Sequence, residues 1–202
     1  MEIKNPIILA SASPARAELL RRILADFEIV PSNAKEPEEG FSHPRDLVSL
    51  ASWLKAREVA NRVTQGLIIA ADTIGWLNGS PLLKPKSRQD AFAMLETMAG
   101  RRHELWTGIV LWKQPNGLQL CWQEQSIVEF RALSAGDIEE YLATREWKNH
   151  SGSYAIQEKN DPYVRLVQGS LTNVIGLPLE SLRQNLELLD IPLTNDISGK
   201  KY

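Results

Sequence analysis

The stretch SASPAR (residues 11–16) sets two hydroxyls, a proline and an arginine directly after the apolar run PIILA. A strand that turns straight into a helix aims free backbone N–H groups and the positive end of the helix dipole at one place, which suits a phosphate. Ser11 and Ser13 add hydroxyls there, and Arg16, in the first turn, adds a forked cation. A plainer reading has Ser13 as a helix cap and Arg16 as a solvated side chain. Residue types alone leave both open.

Asp72 follows LIIAA, which places a carboxylate at the end of a strand that reads as buried. A buried charge is costly without a cation or hydrogen bonds to offset it. Such a carboxylate can hold a divalent metal or take a proton from an attacking water. An Asx-type turn at a strand end accounts for the same pattern. Lys84 precedes Pro85 in LLKPKS, a rigid extended dipeptide. Lys55 lies on a helical stretch and Glu36 in the acidic loop KEPEEGFSHP; each reads equally well as solvated surface. Gln157, ending SYAIQ, offers a donor and an acceptor suited to a base edge, or to a loop backbone. Gly169, Ser170 and Gly176 permit close backbone approach. HExxH, CxxC, GxGxxG, GxSxG and GxxxxGK[ST] patterns are absent, and His43, His103 and His150 lack ligand spacing.

The elements that carry these residues alternate strand and helix through the first half. PIILA reads as a strand, and Pro14 starts a helix with Leu19, Leu20, Ile23 and Leu24 on one face. FEIVPS reads as a second strand, and residues 44–63 as an amphipathic helix through Leu47, Leu50, Leu54 and Val59. GLIIAADTIGWL reads as a strand broken by its polar pair, with Asn78-Gly79 turning into SPLL. Ser87 and Asp90 open a helix that Gly100 stops. A hairpin forms around Pro115-Asn116-Gly117, and Ser134 with Asp137 opens another helix. SYAIQ and YVRLVQG look like strands, and Pro178 starts a last helix with Leu179, Leu182, Leu186 and Leu189 on one face. Trp106 beside Thr107-Gly108 reads as core packing or as the wall of a cleft. The sum is a mixed α/β fold, a twisted sheet flanked by helices.

The 202 residues suffice for a substantial core, and with no repeat or linker residues 1–202 read as one domain. A net charge of −2 gives no general attraction to a nucleic-acid polymer or an anionic membrane, so an anionic ligand needs a local cluster of cations. Apolar runs are strand-sized, far below the ~20 residues of a spanning helix. The single Cys121 excludes an internal disulfide, and without a signal-peptide layout the expected location is cytoplasmic.

Taken in order, LASASPARAELL, ADT…G…LLKP, AFAMLETMAGRRHELWTG and GSYAIQ…GSLTNVIGLPL resemble the Maf family of nucleoside triphosphate pyrophosphatases almost from end to end. The resemblance implies a two-lobed fold with a central cleft, related to the inosine triphosphate pyrophosphatases. It implies hydrolysis of the α–β phosphate bond of a nucleoside triphosphate to monophosphate and pyrophosphate, with Mg²⁺ or Mn²⁺, and a homodimer. It makes Asp72 the catalytic base or metal-linked carboxylate, and Glu36 a second metal-site acid. Ser11, Ser13, Arg16, Lys55 and Lys84 match phosphate-gripping positions, and Ala15, Thr73 and Gln157 match positions that select the base. Members that prefer dTTP and UTP carry Arg where this chain has Ala15, while Thr73 and Gln157 keep the pyrimidine pattern. Leu83 replaces the usual Gly before Lys84. A non-catalytic nucleotide-binding regulator, for example of cell division, is the competing reading, since a fold can outlive its activity.

Overall fold

Hydroxyl caps set where the helices begin. Ser13, Ser87 and Ser134 each accept a backbone N–H of the following first turn, from Arg16, Asp90 and Asp137 respectively. Asp137 returns the bond to the Ser134 N–H, completing a capping box. The computed structural model describes residues 5–37, 40–145, 147–148, 151–154 and 161–194. The strands are β1 (Ile7–Leu9), β2 (Glu28–Ile29), β3 (Gly66–Leu77), β4 (Ser80–Leu82), β5 (Arg102–Gln114), β6 (Leu118–Phe130) and β7 (Val164–Gln168). The helices are α1 (Pro14–Arg21), α2 (Pro44–Ala60), α3 (Arg88–Met98), α4 (Ala135–Thr144), α5 (Leu171–Ile175) and α6 (Leu179–Leu188), with a 3-10 turn at Ser151–Ser153.

The sheet runs β2-β1-β3-β5-β6-β7, with β4 paired beside β3. β1 is parallel to both β2 and β3; every other pairing is antiparallel. The mixed sheet flanked by helices is the expected class. β3 is its axis, pairing with β5 from Gly66 to Trp76. The strand is not broken at Asp72-Thr73 and Asp72 is not at its end, contrary to the expectation. Asp72 lies opposite Gly108 and Thr73 opposite Thr107 in an uninterrupted ladder. Each polar side chain finds partners on its own face, so the backbone has no reason to leave the strand.

Successive side chains of a strand point to opposite faces. Ile68 and Ala70 pack with Ala56, Val59 and Ala60 of α2, and Ile74 and Trp76 with Leu47 and Val48 of the same helix. On the opposite face Leu67, Ile69 and Ala71 meet Leu19 and Leu20 of α1 and Leu182 and Leu186 of α6. Leu77 joins Leu95, Met98, Tyr141 and Leu142 of α3 and α4. Apolar packing on both faces is therefore split into two clusters, and the split falls at Asp72 and Thr73.

Some local expectations shift. α2 ends at Ala60, and its buried stripe includes Leu47, Val48, Ala51, Lys55 and Val59, while Leu50 faces outward. α1 stops at Arg21, yet Ile23 and Leu24 are buried in the turn that follows. Asn78 and Gly79 both adopt positive φ, 52° and 79°, the tight hairpin turn their dipeptide predicts. Trp106 packs in the apolar cluster with Leu47 and Val48. Of SYAIQ, Ser153 ends the 3-10 turn and Tyr154 is buried. The rest of it, Gln157 included, lies outside the described residues.

Beneath α3, His103 and Tyr154 are buried together, His103 Nε2 and the Tyr154 hydroxyl 2.7 Å apart. The imidazole stacks near Phe130, its Nδ1 unpartnered among the described residues. Burial lowers the His103 pKa to about 4. Between about pH 6.5 and that value, the unfolded chain binds a proton that the folded chain refuses, so stability falls as pH drops. Full expression of the shift is worth about 3 kcal/mol. Urea unfolding at pH 7 and 4.5 is expected to show a smaller acid loss for His103→Phe than for the wild type. An unchanged loss would assign that proton to another group.

Candidate active site

On the α2 face, Asp72 lies opposite Gly108, which has no side chain. A Cβ at Gly108 would come within 2.3 Å of the Val48 carbonyl oxygen, so the helix backbone rests directly on β5. Two turns beyond Val48, Lys55 reaches the same side of α2. Its Nζ lies 2.5 Å from Asp72 Oδ1 and 2.7 Å from Glu36 Oε1. Asp72 and Lys55 are each 9% exposed, whereas Glu36 opens to solvent. Partial burial works against ionisation of Glu36, but the bond from Lys55 and the charges of Lys55, Lys84 and Arg16 outweigh it and hold its pKa below the ordinary value. Two acids thus converge on one cation, with two further cations in the same field.

Across the strand, the guanidinium of Arg16 bonds to three segments. Nε donates to the Gly176 carbonyl at 2.8 Å, Nη2 to Thr73 Oγ1 at 3.0 Å and Nη1 to Ser11 Oγ at 3.4 Å. Burial lowers the Arg16 pKa, opposed by the charges of Asp72 and Glu36. Arg16 is therefore not the solvated side chain of the plainer reading. Ser13 is the helix cap, and its N–H donates to Ser11 Oγ at 3.2 Å.

The sheet explains why these groups meet. β1 pairs with Leu67, Ile68 and Ile69, and β4 with Gly75, Trp76 and Leu77. Neither covers Asp72 or Thr73, so the edge of β3 lies open between the carboxyl end of β1 and β4. That is where an α/β sheet with parallel strands leaves a crevice. Lys84 follows β4 and is exposed. Leu83 anchors it: the Leu83 side chain packs with Leu47 and Trp76, and its carbonyl accepts the Gly152 N–H at 3.0 Å. A depression of about 580 Å³ opens at the start of α1, bordered by Ser11, Ser13, Ala15, Glu18, Arg21 and Ile29. It does not include Asp72 or Lys55, so it adjoins the charged cluster rather than containing it.

Residues 6–189 match the model of the family described as Maf-like protein. The chain belongs to the Maf-like protein family. Proteins named dTTP/UTP pyrophosphatase are similar to it over nearly the whole length. The one from Carboxydothermus hydrogenoformans is 39% identical over 89% of this chain and 96% of its own. That from Ruminiclostridium cellulolyticum is 39% identical over 91% and 96%, and one from Bacillus cereus 35% identical over 94% and 98%.

In this Maf-like chain the structure brings together Ser11, Arg16, Glu36, Lys55, Asp72 and Thr73, with Lys84 in the field of Glu36. No group of three His, Cys, Asp or Glu converges among the described residues. Asp72 and Glu36 supply the oxygen donors that Mg²⁺ takes, but the Lys55 ammonium lies between them, so a divalent ion completed by phosphate oxygens and water would have to displace it. Sequence reasoning met Thr107-Gly108 only as neighbours of Trp106 and assigned neither a role, although both stand in the WTG of a family block, and it passed over Asn173 in the GSLTNVIG block. Substituting Gly108→Ala is expected to lift α2 from β5 at a cost of about 1–3 kcal/mol. It should also part Lys55 from Asp72. Equilibrium unfolding together with turnover measures this; wild-type values for both would mean that the helix does not rest on the β5 backbone.

Proposed function

We propose that this chain hydrolyses a nucleoside triphosphate between its α- and β-phosphates, giving a monophosphate and pyrophosphate. The observation that carries the reading is the pair Asp72 and Glu36 converging on the Lys55 ammonium, with Arg16 and Lys84 close enough to shift the Glu36 pKa. A triphosphate carries about four negative charges near neutrality, and its hydrolysis is chiefly a matter of positioning and charge neutralisation. Asp72 and Glu36 would hold a Mg²⁺ or Mn²⁺ ion, which when bound neutralises phosphate charge. Asp72 takes the proton of the attacking water. Lys55, Lys84 and Arg16 bind phosphate oxygens as charge moves onto the departing pyrophosphate, while Ser11 and the Ser13-capped turn of α1 frame them.

The relatives' names support dTTP or UTP as substrates, as does Thr73, with Gln157 outside the described residues. Ala15 argues for a broader range, because position 15 presents only a methyl group to the depression at α1. No helix among the described residues is long and apolar enough to cross a membrane. The family resemblance supports a homodimer; sedimentation at the single-chain mass of 22.7 kDa would exclude it.

A panel of pyrimidine, modified pyrimidine and purine nucleoside triphosphates tests the reading. Asp72→Asn is expected to bind nucleotide but lose turnover by about 100-fold or more. Ala15→Arg should narrow the panel towards pyrimidines, and an unchanged profile would remove Ala15 from substrate choice. Tight nucleotide binding by the wild type without turnover of any panel member would mark a regulator instead of an enzyme.

A further inference from the structure

Between the two apolar clusters on the α1 face lies a file of buried polar groups that the hydrolytic chemistry does not require by itself. Thr73 Oγ1 and Thr107 Oγ1 are 2.9 Å apart, and Thr107 Oγ1 lies 3.2 Å from the Asn173 carbonyl oxygen. The proton positions follow from chemistry. A guanidinium only donates and a carbonyl only accepts. Arg16 therefore donates to Thr73, and Thr107 spends its single proton on Asn173. Thr73 must then donate to Thr107. The chain Arg16→Thr73→Thr107→Asn173 runs in one direction, from the Arg16 fork into the interior.

Asn173 belongs to α5, whose five residues are too few to hold a helix unaided. The rest of the structure pins it. Asn173 Nδ2 donates to Ser126 Oγ at 2.8 Å and to the Leu105 carbonyl at 3.3 Å. Ser126 Oγ accepts the Ser170 N–H at 3.1 Å and lies 3.0 Å from the Ser170 carbonyl oxygen. Gly169 has φ +93° and sits so close that a Cβ there would lie 2.5 Å from Ser126 Oγ. At the far end of α5, the Gly176 carbonyl receives Arg16 Nε. Arg16 Nε is thus held by a carbonyl whose position traces to the seat of α5, and Nη2 by the β3 hydroxyl of Thr73, which Thr107 orients from β5. Asn173 Oδ1 is buried without a partner among the described residues. A buried unpaired acceptor is costly and asks for a reason.

We propose that Thr107 and Asn173 are positioning residues, which fix the Arg16 guanidinium in the orientation that receives the phosphates. This rests on the pyrophosphatase reading only for what Arg16 receives. Thr107 is fully buried, beyond the reach of any nucleotide. Its effect on turnover must pass through Thr73 and Arg16. Valine at 107 keeps the shape but leaves the Thr73 proton without its acceptor and the Asn173 carbonyl with the Gly176 N–H alone.

Three measurements on the full chain test it. Thr107→Val is expected to lower kcat/KM about tenfold at a temperature well below its melting point, and Thr107→Ser to restore it to within about twofold. In an Arg16→Lys background the same Thr107→Val change should cost less than about twofold, because the group it acts through is gone. The Arg16 Nε–H resonance, assigned by its disappearance in Arg16→Lys, should exchange slowly with solvent in the wild type and fast in Thr107→Val. A tenfold loss in both backgrounds, or a lower melting temperature with kcat/KM and Arg16 exchange unchanged, would overturn the proposal. If the wild type turns over no nucleotide, the pyrophosphatase reading fails, while the exchange arm still decides whether Thr107 restrains Arg16.

Discussion

A lysine and an aspartate, both nearly out of solvent, face each other between α2 and β3, and the site is arranged around that contact. Taking two charges out of water costs more than a lone pair returns unless geometry and neighbours compensate. Here the compensation is visible. Glu36 adds a second bond to the ammonium from the solvent side, and Arg16 and Lys84 add positive charge to the same field. Removing one partner of such a pair typically costs about 3–5 kcal/mol, since the other charge is left buried. The contact exists only because Gly108 lets α2 settle onto β5. A glycine one strand away from the chemistry therefore fixes the distance on which the chemistry depends.

The second constraint is the two-residue period of a strand. Asp72 and Thr73 are adjacent in sequence but face opposite sides of the sheet. The acid belongs to the α2 layer and the hydroxyl to the layer of α1 and α5. Arg16 joins the two, bonded to Thr73 while feeling the charge of Asp72. One dipeptide in a central strand thus couples a charged cluster on one face to a neutral hydrogen-bond file on the other. The gap that β1 and β4 leave along β3 opens this place to a ligand. A continuous strand is what keeps the two sides in register, and a break at the polar pair would have uncoupled them.

Much of this was legible in local sequence. The turn from β1 into α1 follows from Ser13 and Pro14, the β3–β4 hairpin from Asn78-Gly79, and the starts of α3 and α4 from their serine caps. Each of these signals is completed within four residues. What escaped was made by residues far apart in the chain: Arg16 with Gly176, Lys55 with Asp72 and Glu36, Gly108 with Val48. α5 is too short to show a helical period, so its segment read only as polar and glycine-rich. The expected break in β3 came from treating two polar residues as a local disruption, when partners on either face absorb them. Leu50 was assigned to the stripe of α2 by helical spacing, but the covered stripe is centred on Val48, Ser52 and Lys55 and leaves Leu50 outside.

The central claim is that this cluster of acids and cations directs water to the α–β linkage of a triphosphate. Anion-exchange separation of the products formed from UTP and Mg²⁺ by the purified wild-type chain examines it most directly. The account predicts UMP and pyrophosphate in equal amounts. Formation of UDP with orthophosphate would place the cleaved bond elsewhere and contradict it.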